Sequence, residues 1–251
     1  MKLSVIVITM NEEDVIRRCL ESVRWADQIV VVDSGSRDRT REICRELGAT
    51  VVERDWPGPG AQRNRAIDLA TGDWVLALDA DEWVPPALSE EIARRIQEPG
   101  EAVAFRIPRS SSYCGRFMQH GGWWPDYVSR LFRRGKARYG GGIVHDHLLS
   151  DGPVGTLQSH LMHEAFVDLE EVLQKVNSYS TWGAQTLQEK GRRAGLGKAV
   201  AHGLWTFLRT YLLRAGFLDG REGFMLAVSN AEGTYYKYVK LMLRQAPRPR
   251  P

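Results

Sequence analysis

Four short apolar runs, each followed by a helix-like segment, constrain this chain more than any other feature. Leu3–Thr9 is almost entirely β-branched, and Ile29–Val32, Thr50–Glu53 and Trp74–Leu78 follow at intervals. A continuous apolar run, rather than an alternating one, marks a strand covered on both faces. Between the runs the apolar residues move to helical spacing, as in Val15, Ile16, Cys19, Leu20 and Val23, then over 40–47 and 61–70. Strands alternating with helices specify a parallel sheet with right-handed crossovers. The expected class is α/β, a mostly parallel twisted sheet flanked by helices. Pro85-Pro86 opens a further helix over 87–97, Val103–Ile107 reads as a strand, and an irregular aromatic region holds another at Val128–Phe132. Helices are expected at Leu169–Glu189, Lys198–Arg214 and Gly223–Leu243, as a C-terminal extension.

In a parallel sheet the chemistry collects at the C-terminal strand ends. Here those ends read Thr9-Met10-Asn11-Glu12, Asp33-Ser34-Gly35-Ser36 and Asp79-Ala80-Asp81-Glu82. Asp79 and Asp81 lie two apart and project to the same side in extended geometry. Two converging carboxylates repel unless a cation lies between them. Mg²⁺ favours such oxygen ligands and often bridges carboxylates to substrate phosphates. A metal–diphosphate site is therefore expected, although Asp-x-Asp alone also occurs in solvated turns. Asp33 is placed to accept hydrogen bonds from a nucleoside, or else to cap its own turn. The glycine fingerprint of dinucleotide enzymes and the Gly-Lys-Ser/Thr P-loop are both missing, which disfavours those classes.

Taken together, Val5–Glu13, Val31–Thr40 and Leu78–Glu82 resemble the three signature segments of family-2 glycosyltransferases. The resemblance implies a GT-A type fold, with a nucleotide-sugar-binding half joined to an acceptor-binding half. Length and later segments are similar to the branch that builds the lipopolysaccharide inner core, the β-1,4-glucosyltransferase type. By that resemblance Thr9, Asn11, Glu13, Asp33, Arg63, Asn64, Asp79 and Ala80 would contact the nucleotide-sugar, a UDP-sugar by preference. Asp79 and Asp81, with His163, would hold Mg²⁺ or Mn²⁺. His163 reads more readily as a hydrogen-bonded structural residue, and Arg63 equally as a surface one.

Inverting transfer needs a base for the acceptor hydroxyl. Asp146, in Val144-His145-Asp146, is the preferred base and Asp126 the second; family members more often carry Glu at the position of Asp146. Trp123, Trp124, Arg130 and His145 are the candidate acceptor contacts. Exposed indole faces suit sugars, whereas buried ones are core.

Composition brings in the surroundings. Residues 185–251 carry twelve Lys and Arg against four Asp and Glu, while the rest of the chain has an acidic excess. A basic C-terminal segment favours an anionic surface. Val200, Leu204, Trp205, Phe207, Leu208, Tyr211 and Leu212 cluster near Arg209 and Arg214, and Tyr235, Tyr236 and Tyr238 mix with Lys237, Lys240 and Arg244. Such helices suit an anionic membrane surface and a lipid-linked glycan acceptor at the cytoplasmic leaflet. No recognition signature for nucleic acid accompanies the charge, so no nucleic-acid partner is expected. Three cysteines (Cys19, Cys44 and Cys114) lack metal-ligand spacing and fit reduced thiols, and Met1-Lys2 leads into a strand run with no secretory leader pattern. The expected organisation is a transferase domain over 1–165, divided into 1–108 for the nucleotide-sugar and 109–165 for the acceptor. A membrane-associating helical region over 166–245 and a disordered tail over 246–251 follow.

Overall fold

The structure, a computed structural model, describes residues 1–141 and 146–245, and all their side chains except those of Gly141 and Asp146. His145 and the tail 246–251 lie outside the described residues. The chain divides into two compact units, one of residues 1–109 and 126–163, the other of 110–125 and 164–251.

The first unit starts as the sequence predicts. Its elements run β1 (Leu3–Thr9), α1 (Ile16–Glu21), β2 (Gln28–Asp33), α2 (Thr40–Glu46), β3 (Thr50–Glu53), α3 (Pro59–Leu69) and β4 (Trp74–Asp79). The four strands are parallel in the order β3-β2-β1-β4. Strand alternation distributes their side chains. Leu3, Val5, Val7, Trp74, Leu76 and Leu78 enter the core under α1 and α2, while Ile6, Val30, Val32, Val75 and Ala77 enter the core under α3. Both faces are covered, which is why the runs are continuous rather than alternating.

The chain continues through β5 (Glu82–Trp83), α4 (Pro86–Gln97), β6 (Ala104–Tyr113), β7 (Arg116–Phe117) and β8 (Asp126–Arg133). β8 lies antiparallel to β4, Leu76 opposite Leu131, and β6 lies antiparallel to β8. β9 (Ala137–Gly141) and β10 (Asp146–Ser150) form a separate antiparallel pair, followed by β11 (Val154–Thr156) and β12 (Leu161–Phe166). β12 sets His163 opposite Glu82 of β5.

In the second unit α5 (Leu169–Glu189), α6 (Leu196–Leu208) and α7 (Gly220–Gln245) form the helical part, with α7 packed against both others. The helix expected over 198–214 stops at Leu208. A π-helical turn (Arg209–Leu213) and a 3-10 turn (Gly216–Asp219) replace its end. The seam of α7 differs from expectation. Tyr238 stacks on His202, with ring centroids 4.4 Å apart. The Lys240 ammonium donates to the carbonyl and side-chain oxygens of Asn177 and to the hydroxyls of Ser180 and Thr181. These residues hold helices together. Tyr236 stays exposed on α7, and the longest series of exposed apolar residues lies on α6 and the turns after it, as expected for α6.

Leu76 is fully buried on a strand flanked by β1 and β8. Leu76→Ala should lower unfolding stability by about 2–5 kcal/mol, measurable by urea denaturation.

Candidate functional site

Register brings the strand ends together. Thr9 pairs with Asp33, and Ile8 with Asp79, so the C-terminal ends of β1, β2 and β4 share one edge of the sheet. A cavity of about 270 Å³ opens there, lined by Ile8, Thr9, Met10, Glu12, Trp56, Pro59, Arg63, Asp79, Ala80 and Asp81. Of the predicted nucleotide-sugar contacts, Thr9, Arg63, Asp79 and Ala80 line it. The Thr9 hydroxyl is buried with no hydrogen-bond partner among the described residues. A buried hydroxyl without a partner is costly, so this one is a candidate ligand contact.

The other predicted contacts are occupied elsewhere. Both Asp33 oxygens accept from its own loop, Oδ1 from the N–H groups of Gly35 and Ser36, and Oδ2 from the Ser36 hydroxyl. Asn11 has φ 58°, donates its N–H to the Ser36 hydroxyl at 2.8 Å, and accepts from the Arg37 N–H at 2.8 Å. The Glu13 carboxylate accepts from the Arg39 N–H. Together these residues stitch the loop after β1 to the loop after β2. Asn64 donates to the Tyr139 carbonyl at 2.8 Å and accepts its N–H at 2.9 Å, fastening α3 to β9. Sequence reasoning did not select Trp56 or Glu12. Trp56 carries a signal in hindsight, an exposed indole within a Trp-Pro-Gly-Pro-Gly loop facing a strand end.

Asp79 is the centre of an ion-pair chain. Arg63 Nη2 bonds Asp79 Oδ1, and Arg130 Nη2 bonds Asp79 Oδ2. Arg130 also donates to Glu82 Oε1 at 2.9 Å, and Arg109 Nη1 reaches the same oxygen at 3.1 Å. Glu82 is fully buried and accepts the Asp79 N–H on its other oxygen. Arg109 continues to Asp126, donating to Oδ2 from Nη2 at 2.7 Å and Nε at 3.0 Å. The line is Arg63–Asp79–Arg130–Glu82–Arg109–Asp126, alternating in sign. Burial alone would raise the Asp79 pKa, but Arg130 and then Arg63 outweigh it and hold the carboxyl well below the usual range. Burial would lower the Arg130 pKa, and Asp79 and Glu82 raise it instead. Two guanidiniums thus flank Asp79, which the sequence analysis also places at a metal. Arg130, expected at the acceptor, is a buried member of this line.

Asp81 differs. Its Oδ1 is buried with no hydrogen-bond partner among the described residues, and its Oδ2 lies 3.4 Å from His163 Nε2. Among the described residues no cluster of three or more His, Cys, Asp or Glu is arranged to hold a metal. Asp126 opens β8 at the same sheet edge, and its Oδ1 is not engaged by Arg109. Asp146 opens β10, and its side chain lies outside the described residues.

The family model for "Glycosyl transferase family 2" matches residues 4–150, which include the strand ends of β1, β2 and β4 and the ion-pair line, though not His163. The chain belongs to glycosyltransferase family 2. It is 30% identical to the lipopolysaccharide core biosynthesis glycosyltransferase LpsC of Rhizobium meliloti, over 99% of this chain and 95% of that relative. It is 28% identical to an uncharacterized glycosyltransferase of Rickettsia typhi, over 96% of this chain and 86% of that one. Among solved structures, residues 1–349 of S. aureus TarS in complex with UDP-GlcNAc share the fold, with TM-score 0.52 and 17% identity over 100% of this chain and 93% of that one. The chain is thus a glycosyltransferase on a GT-A type frame, as its motifs imply.

In the second unit the two expected acceptor tryptophans separate. Trp123 packs edge-on to Tyr113 at 5.9 Å and against Phe166 at 5.8 Å, within a local apolar cluster. Trp124 lines a cavity.

A carboxylate with a depressed pKa stabilises the fold above its ordinary value and ceases to do so as pH falls below it. Asp79→Asn should cost about 3 kcal/mol at pH 7. The gap from the parent should shrink as pH drops below the ordinary Asp value of 3.8. Urea unfolding across a pH series measures this; a gap that is constant with pH would contradict the assignment.

Proposed function

We propose that the enzyme is an inverting hexosyltransferase that moves a sugar from a UDP-sugar to a lipid-linked glycan of the lipopolysaccharide core. It would use Mg²⁺ or Mn²⁺ and work at the cytoplasmic membrane surface. The observation that carries the donor half is the unpartnered Asp81 Oδ1 in a cavity that also holds Arg63 and the unpartnered Thr9 hydroxyl. Asp81 and His163 fit a divalent cation, which commonly takes one or two protein ligands and fills its shell with water and substrate phosphates. When bound, such an ion neutralises charge on a departing diphosphate. Arg63 supplies a fixed positive charge beside it.

The proton of the acceptor hydroxyl needs a carboxylate at the same sheet edge. We take Asp126, which opens β8 at that edge, for this role. Arg109 takes its Oδ2 with two N–H groups, which fixes the carboxylate and leaves Oδ1 for the proton. The acceptor oxygen then attacks the anomeric carbon as the bond to diphosphate breaks, and the configuration inverts without a covalent intermediate. Asp146 is the alternative base. Nucleotide-sugar binding is assigned to 1–108, acceptor binding to 109–165 and membrane contact to 166–245.

The name of the Rhizobium relative supports a lipopolysaccharide acceptor. The surface of α6 supports the membrane. Its buried positions are small, Ala199 and Gly203, whereas Leu196, Val200, Leu204, Trp205 and Leu208 are exposed. The exposed series continues through Leu212, Leu213 (69% exposed), Phe217 and Leu218. Large apolar groups outside and small ones inside, with Lys198, Arg209 and Arg214 along the same stretch, suit a helix lying in an anionic interface. No helix among the described residues is long and apolar enough to cross a membrane.

Transfer from a UDP-sugar panel to extracted lipopolysaccharide precursors tests the chemistry. Asp81→Asn, or a chelator, should abolish transfer. Asp126→Asn should lower kcat by about 10²–10⁴-fold while the UDP-sugar still binds. Loss confined to Asp146→Asn would move the base to Asp146, and full activity in chelator would remove the metal.

Leu204→Glu combined with Trp205→Glu should release the chain from phosphatidylglycerol-containing vesicles in sedimentation while leaving UDP binding intact. Unchanged sedimentation would reject the α6 face as the membrane contact.

A further inference from the structure

The second unit contains a polar cavity of about 420 Å³, lined by Gln119, His120, Gly122, Trp124 and Arg214. We propose that it binds a phosphate group, with Arg214 as the charge and Gln119, His120 and Trp124 as the surrounding wall. The proposal rests on the glycosyl-transfer reading only for the identity of the molecule that carries the phosphate.

Arg214 is the first argument. Its guanidinium has no carboxylate partner among the described residues, unlike Arg63, Arg109 and Arg130. It is nevertheless placed. A β-carbon at Gly122 would lie 2.0 Å from its Nη1 and 2.8 Å from its Cζ, so the arginine occupies the space that a side chain at 122 would take. Gly122 has φ 88°, and Gly121 before it has φ 67° and donates its N–H to the Arg214 carbonyl at 2.9 Å. The backbone behind the arginine is equally determined. Ala215 is held at φ 53°, which a residue with a side chain seldom adopts. Gly216 follows, where a β-carbon would come within 2.7 Å of the Thr210 carbonyl oxygen. Strain of this kind persists where the surroundings over-determine the chain, and it gathers at ligand-binding positions.

His120 is the second argument. Asp219 is buried and spends its carboxylate on the facing loop. It accepts the N–H of His120 at 2.7 Å and of Gln119 at 3.2 Å, and it meets His120 Nδ1 at 3.0 Å. With Nδ1 held by the carboxylate, Nε2 is the remaining polar atom of a ring that lines the cavity. A carboxylate behind an imidazole fixes the orientation of the ring. Arginine recognises phosphate through its planar fork, and an indole N–H is a donor only, so Arg214 and Trp124 both suit an acceptor-rich anion.

Inorganic phosphate is the probe. In the full-length chain with UDP present, so that the first unit's cavity does not report, phosphate should shift the Trp124 indole signal saturably in ¹H–¹⁵N NMR. Trp124→Phe assigns that signal. Arg214→Gln should weaken the response about tenfold, and Arg214→Lys, which keeps the charge, by less. UDP binding unchanged in both variants separates loss of this site from loss of the fold or of the donor site. No saturable shift in the parent, or an equal shift in Arg214→Gln, would overturn the proposal. Vesicles with and without phosphatidylglycerol then distinguish the source. If Arg214→Gln loses the phosphate response but sediments with anionic vesicles as the parent does, the phosphate belongs to the glycan acceptor. If it loses both, the ligand is a lipid headgroup.

Discussion

The alternating line Arg63–Asp79–Arg130–Glu82–Arg109–Asp126 is the interaction on which the catalytic edge depends. Each carboxylate in it is flanked by guanidinium and each guanidinium by carboxylate, so three charges of each sign balance. The line ties α3, β4, β5, β6 and β8 together at the point where the chain must leave the sheet. Glu82 is its least replaceable member. It is fully buried, accepts from Arg109 and Arg130, and fixes the Asp79 backbone. Removing one partner from such a set leaves an uncompensated buried charge, which is much more costly than never having had the pair. The line also runs from the residue beside the candidate diphosphate site to the candidate base, so the two ends of the chemistry share one electrostatic support.

The parallel core was legible because its physics is local. A β-branched run without polar alternation means cover on both faces, and β1 sends its residues in turn to two separate cores. The chemical edge was legible because strand ends of a parallel sheet must coincide. The two guanidiniums that flank Asp79 come from Arg63 and Arg130, one sixteen residues away and one fifty-one. Spacing within a motif cannot reveal partners at that separation.

Other roles were hidden for the same reason. Asn64 looks like a ligand contact in sequence, yet both ends of its amide match the backbone of Tyr139, seventy-five residues on. Two adjacent tryptophans look interchangeable, but Trp123 packs into an aromatic cluster and Trp124 lines a cavity. Tyr238 and Lys240 carry the composition of a membrane face, and they pack between helices because His202 and Asn177 wait opposite them. Composition describes what a helix can contact, and only packing decides what it does contact.

The second unit joins two of these surfaces along one stretch of chain. α6 keeps alanine and glycine against α7 and turns its leucines and tryptophan outward, an arrangement that gains nothing from water. The helix then loosens into the π-helical turn, exposes Leu212 and Leu213, and presents Arg214 at a strained corner over Gly122. Apolar side chains followed at once by a guanidinium with no carboxylate partner among the described residues suit, in order, the chemistry of a lipid from acyl chain to phosphate. A surface that engaged only hydrocarbon would have no use for the fixed arginine, and a soluble phosphate site would have no use for the exposed leucines. Both features together favour a ligand that is amphipathic itself, which is the character of a glycan acceptor still attached to its lipid.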